Sequence, residues 1–228
     1  MEAGGEPGGQ ATGGWVTGSG SGAASGAAPA PQAHGIAVAP GQPVVGLDFV
    51  GVLNITARDD LPDGYELHVV ELDRANWPDH PYIRPLPDGP GPFLHGVVVS
   101  REHGPMVRAW LAAGACVVWA TTWERAVLRN AHLCDIPELP VLEISKVLAG
   151  QHPRRTADWK VAGLQAAFPG HPLVWVDDFG ADRRGESTYG EPPSPILVIA
   201  PDEAVGLTRE QSAEVLGFIE RWRPEGRG

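Results

Sequence analysis

Five side chains in this 228-residue sequence stand where chemistry is done: Asp48, Thr121, Lys160, Asp177 and Asp178. Asp48 follows the apolar run Val44–Leu47 (VVGL), Thr121 follows 115–120 (ACVVWA), and Asp177-Asp178 follow Leu173–Val176 (LVWV). Lys160 falls in the first turn of an amphipathic stretch over about 157–168. Taken singly these residues are ordinary: an acid after a strand is usually a turn former, a threonine a cap, a lysine a solvated helix residue. The acid pair is less ordinary, because two like charges at one strand end repel unless a cation sits there. An acid, a hydroxyl, a lysine and an acid pair, in that order along the chain, make a candidate site.

The elements that must position these groups are legible from pattern. Short continuous apolar runs suit strands buried on both faces, as in a parallel sheet. Four are present: Val44–Leu47, 115–120, Leu173–Val176 and 196–200 (ILVIA). Helical spacing appears after Gly104 (Met106, Val107, Trp110, Leu111, Ala113), with Gly114 placed as a C-terminal cap. It recurs over 124–133 and 157–168, and in a last helix opened by the capping box Thr208-Arg209-Glu210-Gln211, with Val215, Leu216, Ile219 and Trp222 inward. Residues 141–144 form a possible short strand. Residues 55–100 read as an insertion of strands and loops, with Tyr65–Leu72 one arm of a hairpin and 96–100 a further strand. Strands alternating with amphipathic helices predict an α/β domain with a mainly parallel sheet and helices on both faces. In such sheets ligands bind at the carboxyl ends of the strands, where four of the five residues fall, with Lys160 at the head of the helix that precedes the third strand.

Composition narrows the classes. Residues 1–40 hold 11 Gly and 10 Ala, with Trp15 and Ile36 the only large apolar groups beyond Met1, so they are expected to form a disordered tail, with the domain running from 41 to 228. The net charge is −11, of which Glu2 and Glu6 supply −2, leaving −9 on the domain. That sign disfavours nucleic acid and anionic membranes as partners and leaves a small-molecule substrate. No apolar run reaches the roughly 18 residues of a membrane span, and no signal peptide is read, so the cytoplasm is the expected compartment. Two cysteines, Cys116 and Cys134, are too few for a disulfide scaffold or a CxxC-type zinc site, and Cys116 reads as a buried thiol. Oligomeric state is not legible.

LDFVGVLN at 47–54, VVWAT at 117–121, the lysine of ADWK at 157–160 and VWVDDFGAD at 174–182 resemble, in order, the four motifs of the haloacid dehalogenase-like superfamily. The likeness spans about residues 43–200 and is nearest to small members without a large cap domain. It implies a Rossmann-like sheet and a Mg²⁺-dependent hydrolase acting on a small phosphorylated compound. Asp48 would be the nucleophile, Thr121 a hydrogen-bond donor to a phosphoryl oxygen, and Lys160 the charge balancing the carboxylates. The metal would be held by Asp48, the Val50 backbone carbonyl, and Asp177 or Asp178, with Asp182 in support.

The sequence departs from the family pattern at one telling place. Val50 stands where such phosphatases carry a second aspartate, the acid/base group, whose work is worth roughly 10²–10⁴-fold. Glu124, His95 and His103 are the other titratable groups able to substitute if folded nearby, though each is expected to be structural. Trp123 is a candidate pocket residue, whereas Trp110, Trp119, Trp175 and Trp222 fall on core-facing positions. The alternative is a domain that binds metal and a phosphate-containing ligand without turnover.

Overall fold

The computed structural model describes residues 35–56, 60–72, 93–148, 157–179 and 194–224, all within one compact unit, 32–228. In chain order the elements are β1 (Val44–Leu47), β2 (Asn54–Ile55), β3 (Tyr65–Leu72), β4 (Phe93–Ser100), α1 (His103–Ala112), β5 (Cys116–Trp119), α2 (Ile144–Val147), α3 (Ala157–Ala167), β6 (Leu173–Val176), β7 (Ile196–Ile199) and α4 (Arg209–Trp222). Two 3-10 segments, Glu124–Arg129 and Ala131–Cys134, lie between β5 and α2.

The α/β reading holds. Strands β5, β1, β6 and β7 form a wholly parallel sheet in that order, Val45 pairing with Val117 on one side and Val174 on the other. Alternation along each strand divides the core in two. Val45, Leu47, Val117, Trp119, Val174 and Val176 pack with Val107 and Trp110 of α1 and Val215 and Ile219 of α4. Val44, Val118, Leu173 and Trp175 pack with Trp159, Leu164 and Phe168 in and after α3. Helices thus cover both faces, which is why the strands are apolar without a polar phase. Gly46 is small for a reason: a Cβ there would run into the Leu164 side chain, so α3 sits close on the middle of β1. The insertion forms a separate antiparallel sheet, β2-β4-β3, with Tyr65 opposite Ser100 and Leu72 opposite Phe93. The capping box on α4 is complete, the Thr208 hydroxyl accepting from the Gln211 N–H and the Gln211 side chain accepting from the Thr208 N–H.

Several expectations are corrected. No α-helix spans 124–133. Glu124 takes φ +44° and Asp135 φ +52°, and successive i to i+3 bonds (Glu124 N–H to Thr121, Ala126 to Trp123, Asn130 to Val127, Leu133 to Asn130) wind the chain more tightly. The buried apolar residues are Val127, Ala131 and Cys134, and Leu128, part of the apparent helical stripe, faces out. At 141–144 only Val141 bridges to the sheet, opposite Trp119, before α2 begins; Pro140 just upstream has no N–H to lengthen a ladder. Trp222 is exposed on the last turn of α4, against Phe218, not the sheet. Cys116 is only half-buried, because β5 is an edge strand; Cys134 is the buried thiol, its pKa pushed up to about 12 by burial. The domain also begins before residue 41: Ile36 is buried against the α3-side core and Val38 packs on it. Among the described residues no helix is long and apolar enough to cross a membrane.

Candidate functional site

The parallel ladder continues one residue past each strand and carries the acids with it. The Asp48 N–H donates to the Val176 carbonyl at 2.9 Å, and the Asp177 N–H to Ile199 at 3.0 Å. Two adjacent strands therefore hold their terminal carboxylates at one rim, both buried. From the helix packed below, Lys160 reaches the same point and is 1% exposed. Its ammonium donates to Asp48 Oδ2 at 2.5 Å and to Asp177 Oδ2 at 2.6 Å. Four of the five predicted residues are brought together, since carboxylate oxygens of Asp48, Asp177 and Asp178 lie within 4.8 Å of one another. Thr121 is fully buried just past β5, the strand beside β1. Its hydroxyl accepts from the Trp123 N–H at 3.2 Å, which closes the turn after the strand.

The supports of this cluster were not singled out by sequence. Asp48 Oδ1 accepts from the Phe49 N–H at 2.8 Å. Asp177 Oδ1 accepts from the Phe179 N–H at 3.0 Å, and its Oδ2 accepts from the Trp175 indole at 3.2 Å. Trp175 lies two residues before Asp177, on the same face of β6, so the period of a strand was the available signal. The Phe179 ring lies 5.4 Å from the Lys160 nitrogen. Gly51 takes φ +75°, and a Cβ there would collide with the Asp178 carboxyl group. A glycine is required both by the backbone and by the closeness of that acid.

Charge is unbalanced here. Three carboxylates meet one ammonium in a largely buried setting. Burial by itself would push the Lys160 ammonium down, but the charges of Asp48 and Asp177 prevail and hold it protonated. Asp177 is shifted upward by burial and by the Asp48 charge, against the pull of Lys160. Asp178 is raised to about 6, by burial first and the Asp48 charge second. The cluster is short of positive charge, and a hard divalent cation on its oxygens would supply it. The donor set fits such an ion.

Val50 turns a 40% exposed side chain outward, and Phe179 is 43% exposed. The other titratable candidates make contacts of their own, and the His95 Nε2 and both His103 ring nitrogens are buried without a hydrogen-bond partner among the described residues. Glu124 Oε1 accepts from the Ser145 N–H at 3.1 Å. His103 is buried beneath Tyr65, ring to ring at 5.9 Å, and burial pushes its pKa down to about 4. His95 is half-buried with its ring 5.6 Å from Trp123, and its pKa is lowered by burial. Trp123 itself is core, packed 5.3 Å from the Phe49 ring, and its edge borders a cleft of about 300 Å³ with Glu124, Arg125, Ala126, Arg129 and Glu143. Asp48, Asp177 and Asp178 do not line that cleft. Asp182 lies outside the described residues. Comparison with known protein families, with curated proteins and with solved structures finds no match for this chain.

Proposed function

We propose that the chain is a haloacid dehalogenase-like, Mg²⁺-dependent hydrolase that transfers a phosphoryl group from a small metabolite to Asp48. The observation that carries this reading is Lys160, buried at 1% exposure and bonded to carboxylates from two adjacent strands. Burying three ionisable groups in contact is costly and replacement by apolar residues is often neutral or stabilising, so a use for the site accounts for the cluster better than stability does. Mg²⁺, held by Asp48, the Val50 carbonyl and Asp177 or Asp178, would offset the repulsion between nucleophile and phosphate and polarise the phosphoryl group. Lys160 fixes the Asp48 oxygen on one side and leaves the carboxylate oriented by the Phe49 N–H on the other. Thr121, at the end of the neighbouring strand, would donate its hydroxyl proton to a phosphoryl oxygen, and Asp182 would support the cation.

Hydrolysis of p-nitrophenyl phosphate with Mg²⁺ by the full chain, abolished in Asp48→Asn, tests the proposal. Val50 favours one other reading, a domain that binds metal and phosphate without turnover. Mg²⁺ binding by the wild type with no product from any phosphate ester or anhydride would establish that reading instead.

A further inference from the structure

The fourth strand of the parallel sheet also ends at the rim, and the turn that follows it bears on the metal. Resting on the reading of Asp48, Asp177 and Asp178 as a cation site, we infer that Glu203 is a positioning residue of that site, one that holds water on the bound ion and so tightens its binding.

β7 lies beside β6, and its last residue, Ile199, accepts at its carbonyl from the Asp177 N–H at 3.0 Å. The chain beyond β7 therefore leaves the sheet at the same end as the acids. Four residues later it is fixed from two sides. Within the turn, the Asp202 carboxylate accepts from the Ala204 N–H at 2.8 Å, and the Asp202 carbonyl accepts from the Val205 and Gly206 N–H groups at 2.9 and 2.7 Å. From outside, the Thr56 N–H donates to the Glu203 carbonyl at 2.9 Å and the Tyr65 hydroxyl to the Val205 carbonyl at 2.6 Å. The Leu207 N–H donates to Val52 at 2.8 Å, and Gly206 is seated so closely that a Cβ would meet the same Val52 oxygen. The segment that receives this turn, 51–56, is the one whose Gly51 lies against the Asp178 carboxyl group. One loop thus touches both Asp178 and the turn that carries Glu203.

The Glu203 side chain is exposed, and its charge is felt at Asp178, a carboxyl group that burial first, Asp48 second and Glu203 last all raise. Yet Glu203 does not belong to the set of three carboxylates whose oxygens lie within 4.8 Å of one another. A group near enough to be felt and too distant to ligate alongside the others acts through water. Mg²⁺ dehydrates reluctantly and keeps several waters when one or two carboxylates hold it. A carboxylate that accepts a hydrogen bond from such a water orients it and strengthens the binding of the ion. Without the ion the same charge is a burden, because Glu203 and Asp178 repel.

Two quantities test this on the full chain: the Mg²⁺ Kd by titration calorimetry, and the melting temperature without divalent ions. In Glu203→Gln the Kd should rise at least about tenfold, while the metal-free melting temperature should not fall, since a repulsion has been removed. The substitution leaves the backbone bonds of the turn in place. Glu210→Gln, an equally exposed acid on α4, should leave the Kd unchanged. The loss in Glu203→Gln should persist, at least about threefold, in 1 M KCl, where the screening length is about 3 Å. An unchanged Kd in Glu203→Gln, an equal loss in Glu210→Gln, or a loss erased by the salt would overturn the inference, while Mg²⁺ binding itself upholds the cation site beneath it. A metal-free melting temperature lowered by several degrees, or a variant that does not fold, would make the role of Glu203 structural and overturn the inference as well. No Mg²⁺ binding by the wild type would overturn the cation site itself.

Discussion

Two groups of ion pairs in this protein have the same chemistry and opposite circumstances. Glu102 and Arg209 meet in a bidentate pair between the start of α1 and the start of α4, one of the two bonds at 2.9 Å, with side chains 49% and 75% exposed. Lys160, Asp48 and Asp177 meet in a pocket that solvent barely reaches. Water already serves the first pair well, so its formation alters stability little and salt weakens it further. The second group has given up hydration it cannot fully replace, since one ammonium faces three carboxylates. Good geometry at the surface therefore signals convenience, whereas good geometry in the interior signals a use that stability does not explain.

The comparison can be broken most forcefully at Lys160. Lys160→Met leaves Asp48 and Asp177 buried without their cation and should cost about 3–5 kcal/mol in urea unfolding in the absence of divalent ions. A melt indistinguishable from wild type would mean the cluster is not paired as described. Mg²⁺ should come next in size. Bound to the folded state alone, it should stabilise by about 2.7 kcal/mol at a concentration 100 times its Kd, and by less in Asp178→Asn. The increment should also shrink as pH falls through about 6. The sign follows from the raised Asp178 pKa: below about 6 the folded state holds a proton there that the metal must displace, and above it the carboxylate is free to bind. His103, buried neutral, also takes stability away in acid, losing its contribution as pH falls from 6.5 toward about 4, but it does so with or without Mg²⁺ and cancels from the increment. An increment that grows on acidification would remove the metal from Asp178.

A pair of glycines sharpens the comparison at smaller amplitude. Gly51 and Gly64 take φ +75° and +83°, yet only Gly51 has a neighbour, Asp178, in the path of a Cβ. Gly64→Ala should cost about 1 kcal/mol of backbone strain. Gly51→Ala should cost that and about 1–2 kcal/mol more for displacing Asp178, and it should blunt the Mg²⁺ response, which Gly64→Ala leaves intact. Equal costs and equal responses would show that Asp178 gives way freely. Smallest of all, Glu102→Gln should leave the melting temperature within the reproducibility of the measurement; a drop of several degrees would show that exposure is a poor guide to the worth of these pairs.

Sequence pattern was informative wherever burial is two-sided or chemistry is local. β1 and β6 are apolar on both faces because helices cover both, so VVGL and LVWV could hardly be anything but central strands. The Thr208–Gln211 box needs only four consecutive residues, and it forms as spelled. Residues 124–134 were illegible because the residues they bury, Val127, Ala131 and Cys134, are chosen by packing against the sheet-side core, contacts no local window contains. Trp222 misled because helical periodicity tells which side a residue faces and not whether the neighbouring sheet extends that far. Ile36 misled because one isoleucine among glycines and alanines is statistically tail, and only the folded surface supplies the recess it fills. At the site the charged residues could be named, while what secures them could not: Trp175, the Phe179 N–H and the notch at Gly51 are contacts, and contacts are made by folding.

Gly46 gives the site a mechanical property. Leu164 rests where a Cβ of residue 46 would be, and Lys160 lies one turn earlier on the same helix. Residue 46 therefore acts as a shim of zero thickness between helix and sheet, and the lysine is a pin on the helix whose depth the shim sets. Adding one methyl group, Gly46→Ala, would lift the helix and draw the pin outward, with no charged residue altered. Electrostatic balance at the rim is in this sense a matter of tolerances in the core, and the smallest residue in β1 governs how tightly the buried cluster of Lys160 and its carboxylates can close.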